Sequence, residues 1–181
     1  MIRDQILLAG TGLFLSFLAV AVAEAWAAMP QAGQPAPAFN LMSHEGNWVK
    51  LSDFQGKWVV LYFYPKDFTS GCTLEAHNFQ RDLESYDKAH AVILGVSVDD
   101  VNSHKSFCEK EGLQFKLLAD IGGKVSGLYG SLRESQGSGI SARNTFIIDP
   151  AGKIAKVFEG VKPATHSVEV LAALGDLQGK H

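Results

Sequence analysis

The chain has 181 residues, 46% of them apolar and 19% charged, with a formal charge of −3 at neutral pH. This is the composition of an ordinary globular chain of one domain, long enough to bury a real core. No basic stripe is present to hold phosphates, which removes nucleic acid as a partner, and two cysteines, Cys72 and Cys108, are too few for a disulfide scaffold or a cysteine-rich zinc site.

Residues 1–27 carry Arg3, then run uncharged from Gln5 to Ala23 and end in the small-residue sites Ala23-Glu24-Ala25 and Ala25-Trp26-Ala27. That is the layout of an export signal with an A-x-A cleavage site, although Asp4 offsets Arg3 and thins its positive region. The apolar run 6–23 is also just long enough to span a bilayer, so an uncleaved membrane anchor is the second reading and an internal, cytosolic segment the third. The first two place the folded part outside the cytoplasm, most naturally in a bacterial periplasm, free or tethered to the membrane. Residues 28–38, "AMPQAGQPAPA", read as an extended linker or lead-in. The folded domain is expected over 39–181.

"NWVKLSDFQG" predicts a short strand ending in a turn at Gly56. "KWVVLYFYP" is a continuous β-branched and aromatic run, as in a central strand buried on both faces. A helix is predicted over 70–88, with Ala76, Phe79, Leu83 and Tyr86 on one stripe. "AVILGVSV" is a second buried strand. Asp99 and Asp100 then cap a helix that stops at Gly112. His104 on that helix, and His90 before it, read as exposed helix residues. "FKLLAD" is a short strand and "GGKVSGLYG" one or two helical turns. "NTFIIDPAGKIAKVFEG" is a hairpin turning at Asp149-Pro150-Ala151-Gly152. A helix with Pro163 near its start closes the chain. This order is α/β: a mixed central sheet flanked by helices, parallel early and antiparallel late, as in a thioredoxin-like fold.

Cys72 lies at the mouth of the 70–88 helix. Thr69 and Ser70 are both N-cap candidates, so Cys72 falls near the second or third helical position. Free backbone N–H groups and the positive end of the helix dipole there favour a thiolate. Cys72 also continues the Ala76/Phe79 stripe, which turns its thiol toward the body of the protein. The helix alone is not enough to activate it. Bringing a thiol from about 8.5 to about 6 takes roughly 3.4 kcal/mol, and a helix terminus supplies about 0.3–1, at most about 2 kcal/mol. A cation is required, and Arg143, directly before a core strand, is the candidate. The plainer alternatives stay open: a lone cysteine also serves as a small buried hydrophobe, and a lone arginine beside a strand as a surface residue.

"YPKDFTSGCTLEA" resembles the peroxiredoxin active-site pattern P-x-x-x-T-x-x-C, filled by Pro65, Thr69 and Cys72. "GQPAPAFNL", "SHKSFCEKEGLQFKLLAD" and "ARNTFIIDPAGKI" match the same family in order and spacing, over about residues 33–175. The subfamily resembled is the bacterioferritin comigratory protein, or peroxiredoxin Q, type. The resemblance implies a thiol peroxidase that reduces hydrogen peroxide and organic hydroperoxides without a cofactor or metal. Cys72 would be the peroxidatic cysteine, Thr69 would hydrogen-bond thiolate and peroxide, and Pro65 would shield the pocket. Arg143 would stabilise thiolate and leaving oxygen, helped by backbone N–H groups near Gly71 and Cys72. Glu75 would either orient Arg143 or only complement the helix dipole.

Many members of this subfamily carry a second cysteine five residues after the first, and here that position is His77. The resemblance therefore gives the resolving role, and a Cys72–Cys108 disulfide, to Cys108, which lies on the apolar side of its own helix. Disulfide Cα atoms must come within about 7 Å, so thiols on separate packed helices do not ordinarily meet. The first turn of the Cys72 helix, and part of the Cys108 helix, are expected to unwind after oxidation. The resemblance also implies a thioredoxin-like or glutaredoxin-like reductant and a monomer. Two alternatives compete: an exported thioredoxin-like protein-disulfide oxidoreductase, and a non-enzymatic domain with a structural bridge. The first needs C-x-x-C, and Glu75 stands three after Cys72. His77 offers no metal site, since no further ligand cluster accompanies it.

Overall fold

A computed structural model describes residues 28–135 and 138–179. The signal or anchor reading of residues 1–27 lies outside these. Among the described residues no helix is long and apolar enough to cross a membrane.

The strands are β1 (Asn40–Ser43), β2 (Trp48–Lys50), β3 (Trp58–Phe63), β4 (Ala91–Ser97), β5 (Lys116–Ala119), β6 (Leu132–Ser135), β7 (Ser138–Ser141), β8 (Asn144–Ile148) and β9 (Ile154–Phe158). The helices are α1 (Ser70–Arg81), α2 (Leu83–Lys88), α3 (Val101–Glu111), α4 (Lys124–Leu128) and α5 (His166–Gln178). Seven strands form one mixed sheet in the order β2-β1-β5-β4-β3-β8-β9, and β6-β7 form a separate hairpin. β3, β4 and β5 run parallel, while β8 lies antiparallel to β3 and β9 to β8. The fold is thioredoxin-like, as expected.

Every residue of β3 is buried, and the period of two divides them between two cores. Val60, Tyr62 and Tyr64 face a layer with Cys72, Phe79, Phe107, Cys108 and Val170, supplied by α1, α3 and α5. Val59, Leu61 and Phe63 face the other layer, with Tyr129, Phe146 and Leu41. Both cysteines therefore look into the same side of the sheet. The lead-in is tied down: Gly33 N–H donates to the Ile154 carbonyl (2.8 Å) and Ala36 N–H to that of Gly152 (2.9 Å).

Three features depart from the sequence reading. The 70–88 helix breaks at Asp82, whose backbone leaves helical geometry (φ −93°, ψ 4°). Its carboxylate accepts from Arg81 (2.8 and 2.6 Å) and from the Ser167 hydroxyl of α5 (2.8 Å), so a contact with the distant helix competes with the continuous one. β1 and the β6-β7 hairpin were not anticipated, being four-residue strands too short to show a period. His104 is fully buried, not exposed, and His90 sits beyond α2 in a left-handed turn (φ 51°).

Candidate active site

β3 ends at Phe63, and a six-residue loop leads to α1, with Thr69 as N-cap and Cys72 as the third helical residue. The first bond of the helical ladder here is Thr73 N–H to the Thr69 carbonyl (2.9 Å), so the amides of Ser70, Gly71 and Cys72 precede the ladder. Antiparallel pairing sets Asn144 opposite Phe63, which puts Arg143 beside the loop at the same end of the sheet. Its backbone is fixed by Val161 N–H donating to its carbonyl (3.0 Å). Sheet register thus joins two residues 71 positions apart.

The Arg143 guanidinium donates through Nη2 to the Cys72 sulfur (3.2 Å) and through Nη1 to Glu75 Oε2 (2.7 Å). Cys72 and Glu75 are buried and Arg143 is partly buried, its side chain 20% exposed. Glu75 Oε1 has no partner among the described residues. Burial pushes the Glu75 carboxyl up to about 7, against the opposing charge and hydrogen bond of Arg143. Gly71 completes the packing: a Cβ there would lie 2.8 Å from Arg143 Nη2. Pro65 and Arg143 line a pocket of about 270 Å³ with Ile140, Ala142 and Val161. The Thr69 hydroxyl donates to the Lys66 carbonyl (3.0 Å), which leaves its lone pairs available to a ligand. Chemically, this is a buried sulfur at a helix N-terminus with a fixed cation at hydrogen-bond distance, and that cation also lines a pocket of mixed polar and apolar character.

The structure brings together Cys72, Arg143, Glu75 and Gly71, with Pro65 and Thr69 on the adjoining loop. Cys108 sits in the same core layer on an intact α3, and both thiols are free. Burial, and after it the negative charge of Asp67, pushes the Cys108 thiol up to about 12. His77 bridges α1 to α3 through Glu111 (2.9 Å). Glu75, held by Arg143, occupies the place a C-x-x-C partner would need.

Sequence reasoning missed a buried polar cluster behind the loop. Asp67 accepts from the hydroxyls of Tyr64 and Ser103 (both 2.7 Å) and from His104 Nδ1 (2.9 Å). Burial raises the Asp67 carboxyl, but the hydrogen bond and charge of His104, with the hydrogen bonds of Ser103 and Tyr64, together outweigh it and hold the group below its ordinary value. A signal was available: His104 lies three residues after Val101 and four before Cys108, on the apolar stripe of α3.

The AhpC/TSA family model matches residues 32–157. A peroxiredoxin Bcp of Bacillus subtilis is 43% identical over 153 residues, covering 82% of this chain and 97% of the relative. A chloroplastic peroxiredoxin Q of Triticum aestivum is 40% identical over 146 residues, covering 80% of this chain and 67% of the relative. Among solved structures, a cysteine-to-serine variant of Xylella fastidiosa PrxQ superposes with a TM-score of 0.78 at 33% identity, covering 83% of this chain and 98% of the other. A Xanthomonas campestris bacterioferritin comigratory protein, described for its alkyl peroxide reduction activity, superposes with a TM-score of 0.75 at 37% identity, covering 80% and 98%.

Proposed function

Because the chain belongs to the AhpC/TSA family, in its Bcp and peroxiredoxin Q branch, we propose that its peroxiredoxin activity runs on Cys72 and is completed by Cys108. The enzyme is a thiol peroxidase acting on peroxides with a thiol reductant; the residue roles below are our reading. The observation that carries it is the Arg143 guanidinium, 3.2 Å from the Cys72 sulfur at a helix N-terminus. It supplies the cation that the helix dipole alone cannot replace.

In the first step the Cys72 thiolate attacks one peroxide oxygen. The O–O bond breaks, its electron pair leaves on the other oxygen, and that oxygen takes a proton to become water or an alcohol. Cys72 is left as a sulfenic acid. Arg143 and the amides of Gly71 and Cys72 lie where charge develops on the leaving oxygen. Thr69 accepts the peroxide O–H, Pro65 walls the pocket, and Glu75 aims Arg143. In the second step the Cys108 sulfur, once deprotonated, attacks the Cys72 sulfur; the S–O bond breaks, the oxygen leaves as water, and a disulfide remains. The first turn of α1, and part of α3, open for this step. A thioredoxin-like or glutaredoxin-like dithiol then reduces the bridge.

Pro65, Ile140 and Val161 give the pocket an apolar part beside Arg133, Ser141 and Arg143, which supports organic hydroperoxides as substrates beside hydrogen peroxide, in keeping with the alkyl peroxide reduction of the Xanthomonas protein. A monomer is proposed on the subfamily resemblance alone, and sedimentation analysis tests it. Residues 1–27 are proposed to direct export, by a cleaved signal or as an anchor. Cell fractionation with N-terminal sequencing tests this, and an intact N-terminus in the cytosol refutes it.

Intact-mass spectrometry after one equivalent of peroxide tests the chemistry. The expected product has lost two hydrogens, with Cys72 joined to Cys108. Cys72→Ser abolishes peroxide-dependent consumption of reductant. Cys108→Ser performs one turnover and stalls one oxygen heavier. Undiminished turnover in Cys72→Ser would refute the assignment.

A further inference from the structure

The loop between β3 and α1 is fastened to the Cys108 helix at two points that the peroxide chemistry does not use. At the first, Asp67, 3% exposed, gathers the Ser103 hydroxyl (2.7 Å) and His104 Nδ1 (2.9 Å) from α3, with the Tyr64 hydroxyl (2.7 Å) from the end of β3. The Asp67 amide donates to Asp99 Oδ2 (2.9 Å), just before α3, which also accepts from the Ser97 hydroxyl (2.7 Å). At the second point Phe68 takes a left-handed backbone (φ 60°), uncommon for an aromatic residue. Its ring meets Phe107 edge-on (centroids 5.1 Å apart) and lies under the Lys110 ammonium (5.5 Å). None of these hydrogen bonds reaches the Cys72 sulfur. All four α3 partners lie within five residues of Cys108, and His104 is one helical turn before it.

We propose that Asp67 and Phe68 form a latch on α3, and that its release gates the Cys72–Cys108 disulfide while leaving the peroxide step unchanged. The proposal rests on the peroxidase reading above. Its logic is mechanical. Cys108 is 5% exposed on a complete helix. For its sulfur to reach Cys72, the start of α1 must leave its place, and that turn is covalently continuous with the loop at 65–69. While Asp67 holds Ser103 and His104, and Phe68 lies on Phe107, neither loop nor helix can move alone. Asp67 also places a carboxylate near the Cys108 thiol, so release removes a like charge as the thiol becomes the attacking group. Asp67 and Phe68 are thus positioning residues for the second half of the reaction, and they set how long the sulfenic acid persists.

Rapid-quench intact-mass spectrometry separates the two halves. The gain of one oxygen reports the peroxide step, and its conversion to the loss of two hydrogens reports resolution. Ser103→Ala removes one hydrogen bond to a buried carboxylate and is expected to speed conversion about tenfold, with no change in the first step. Ser103→Thr, which keeps the hydroxyl, restores the parent rate. Phe68→Asn removes the ring while tolerating the left-handed backbone, and is expected to speed conversion severalfold. Under excess peroxide both variants should accumulate less sulfinic acid, the product with two oxygens gained, because the sulfenic acid is shorter-lived. Conversion at or below the parent rate in both variants overturns the latch, as does a first step slowed in parallel. A parent protein that gains no oxygen from peroxide overturns the peroxidase reading itself, and the latch with it.

Discussion

Arg143 donates to two acidic groups at once, the Glu75 carboxyl at 2.7 Å and the Cys72 sulfur at 3.2 Å. Because burial pushes Glu75 up to about 7, its charge changes within the working range of pH. Ionised, it draws on the field that would otherwise stabilise the thiolate; protonated, it leaves the guanidinium to sulfur alone. Glu75→Gln keeps an acceptor for Nη1 and removes the charge. The acid limb of the kcat/KM profile for peroxide is then expected to move down by roughly one pH unit. A limb that stays put or moves up would show that Glu75 only aims the arginine. Gly71→Ala tests the same contact sterically, since its Cβ would displace Nη2 from 2.8 Å. Its peroxidase rate should fall on the order of 100-fold with little change in Tm. The cysteine and arginine were legible in sequence because a thiolate creates a demand for positive charge that can be sized in advance. Asp67 and His104 were not, because a buried polar pair reads, residue by residue, like two surface groups.

At the scale of elements, what was legible was local. Asp100 caps α3 with its side chain accepting from Ser103 N–H (2.9 Å), and Gly112 ends the helix in the left-handed region (φ 66°), both as their residue types imply. What escaped depends on distant partners. The break at Asp82 is fixed by Ser167, 85 positions away. β1 exists because it lies between β2 and β5, not because four residues favour it. The cap makes a direct prediction. Asp100→Ala should cost about 1 kcal/mol, lowering Tm by about 2–4 °C, and Asp100→Ser should recover most of it. A melt unchanged within 1 °C (about 0.3 kcal/mol on the same scale) would mean that the packing of Phe107 and Cys108 holds this end of α3 without its cap.

The α1/α3/α5 side of the sheet meets opposite demands of pH through two buried groups. Glu75, with its folded value near 7 against an ordinary 4.5, keeps its proton longer in the folded protein. Its stabilising contribution is complete below 4.5 and is lost as pH rises through 7. His166, at the start of α5, donates or accepts at the Thr145 hydroxyl (2.7 Å) and lies between the edges of Phe79 and Phe158. Burial pushes its imidazole down to about 4 from 6.5. Its contribution is complete above 6.5 and is lost as pH falls through 4. Between 4.5 and 6.5 the two slopes have opposite sign and similar size, so the two contributions should nearly cancel in the parent protein there. Glu75→Gln leaves the histidine slope alone: stability should climb with pH across the window by on the order of 3 kcal/mol. His166→Gln leaves the glutamate slope alone, and stability should fall by a similar amount over the same interval. Contributions common to parent and variant, such as that of His44, cancel in the difference. Denaturant midpoints measured at half-unit steps decide the matter. Relative to the parent, opposite slopes in the two single variants, and a double variant whose difference from the parent is the sum of theirs, are expected if the sites act independently. Profiles of both single variants parallel to that of the parent would mean that neither group is held away from its ordinary value, and that the Arg143–Glu75 pair is ionised throughout.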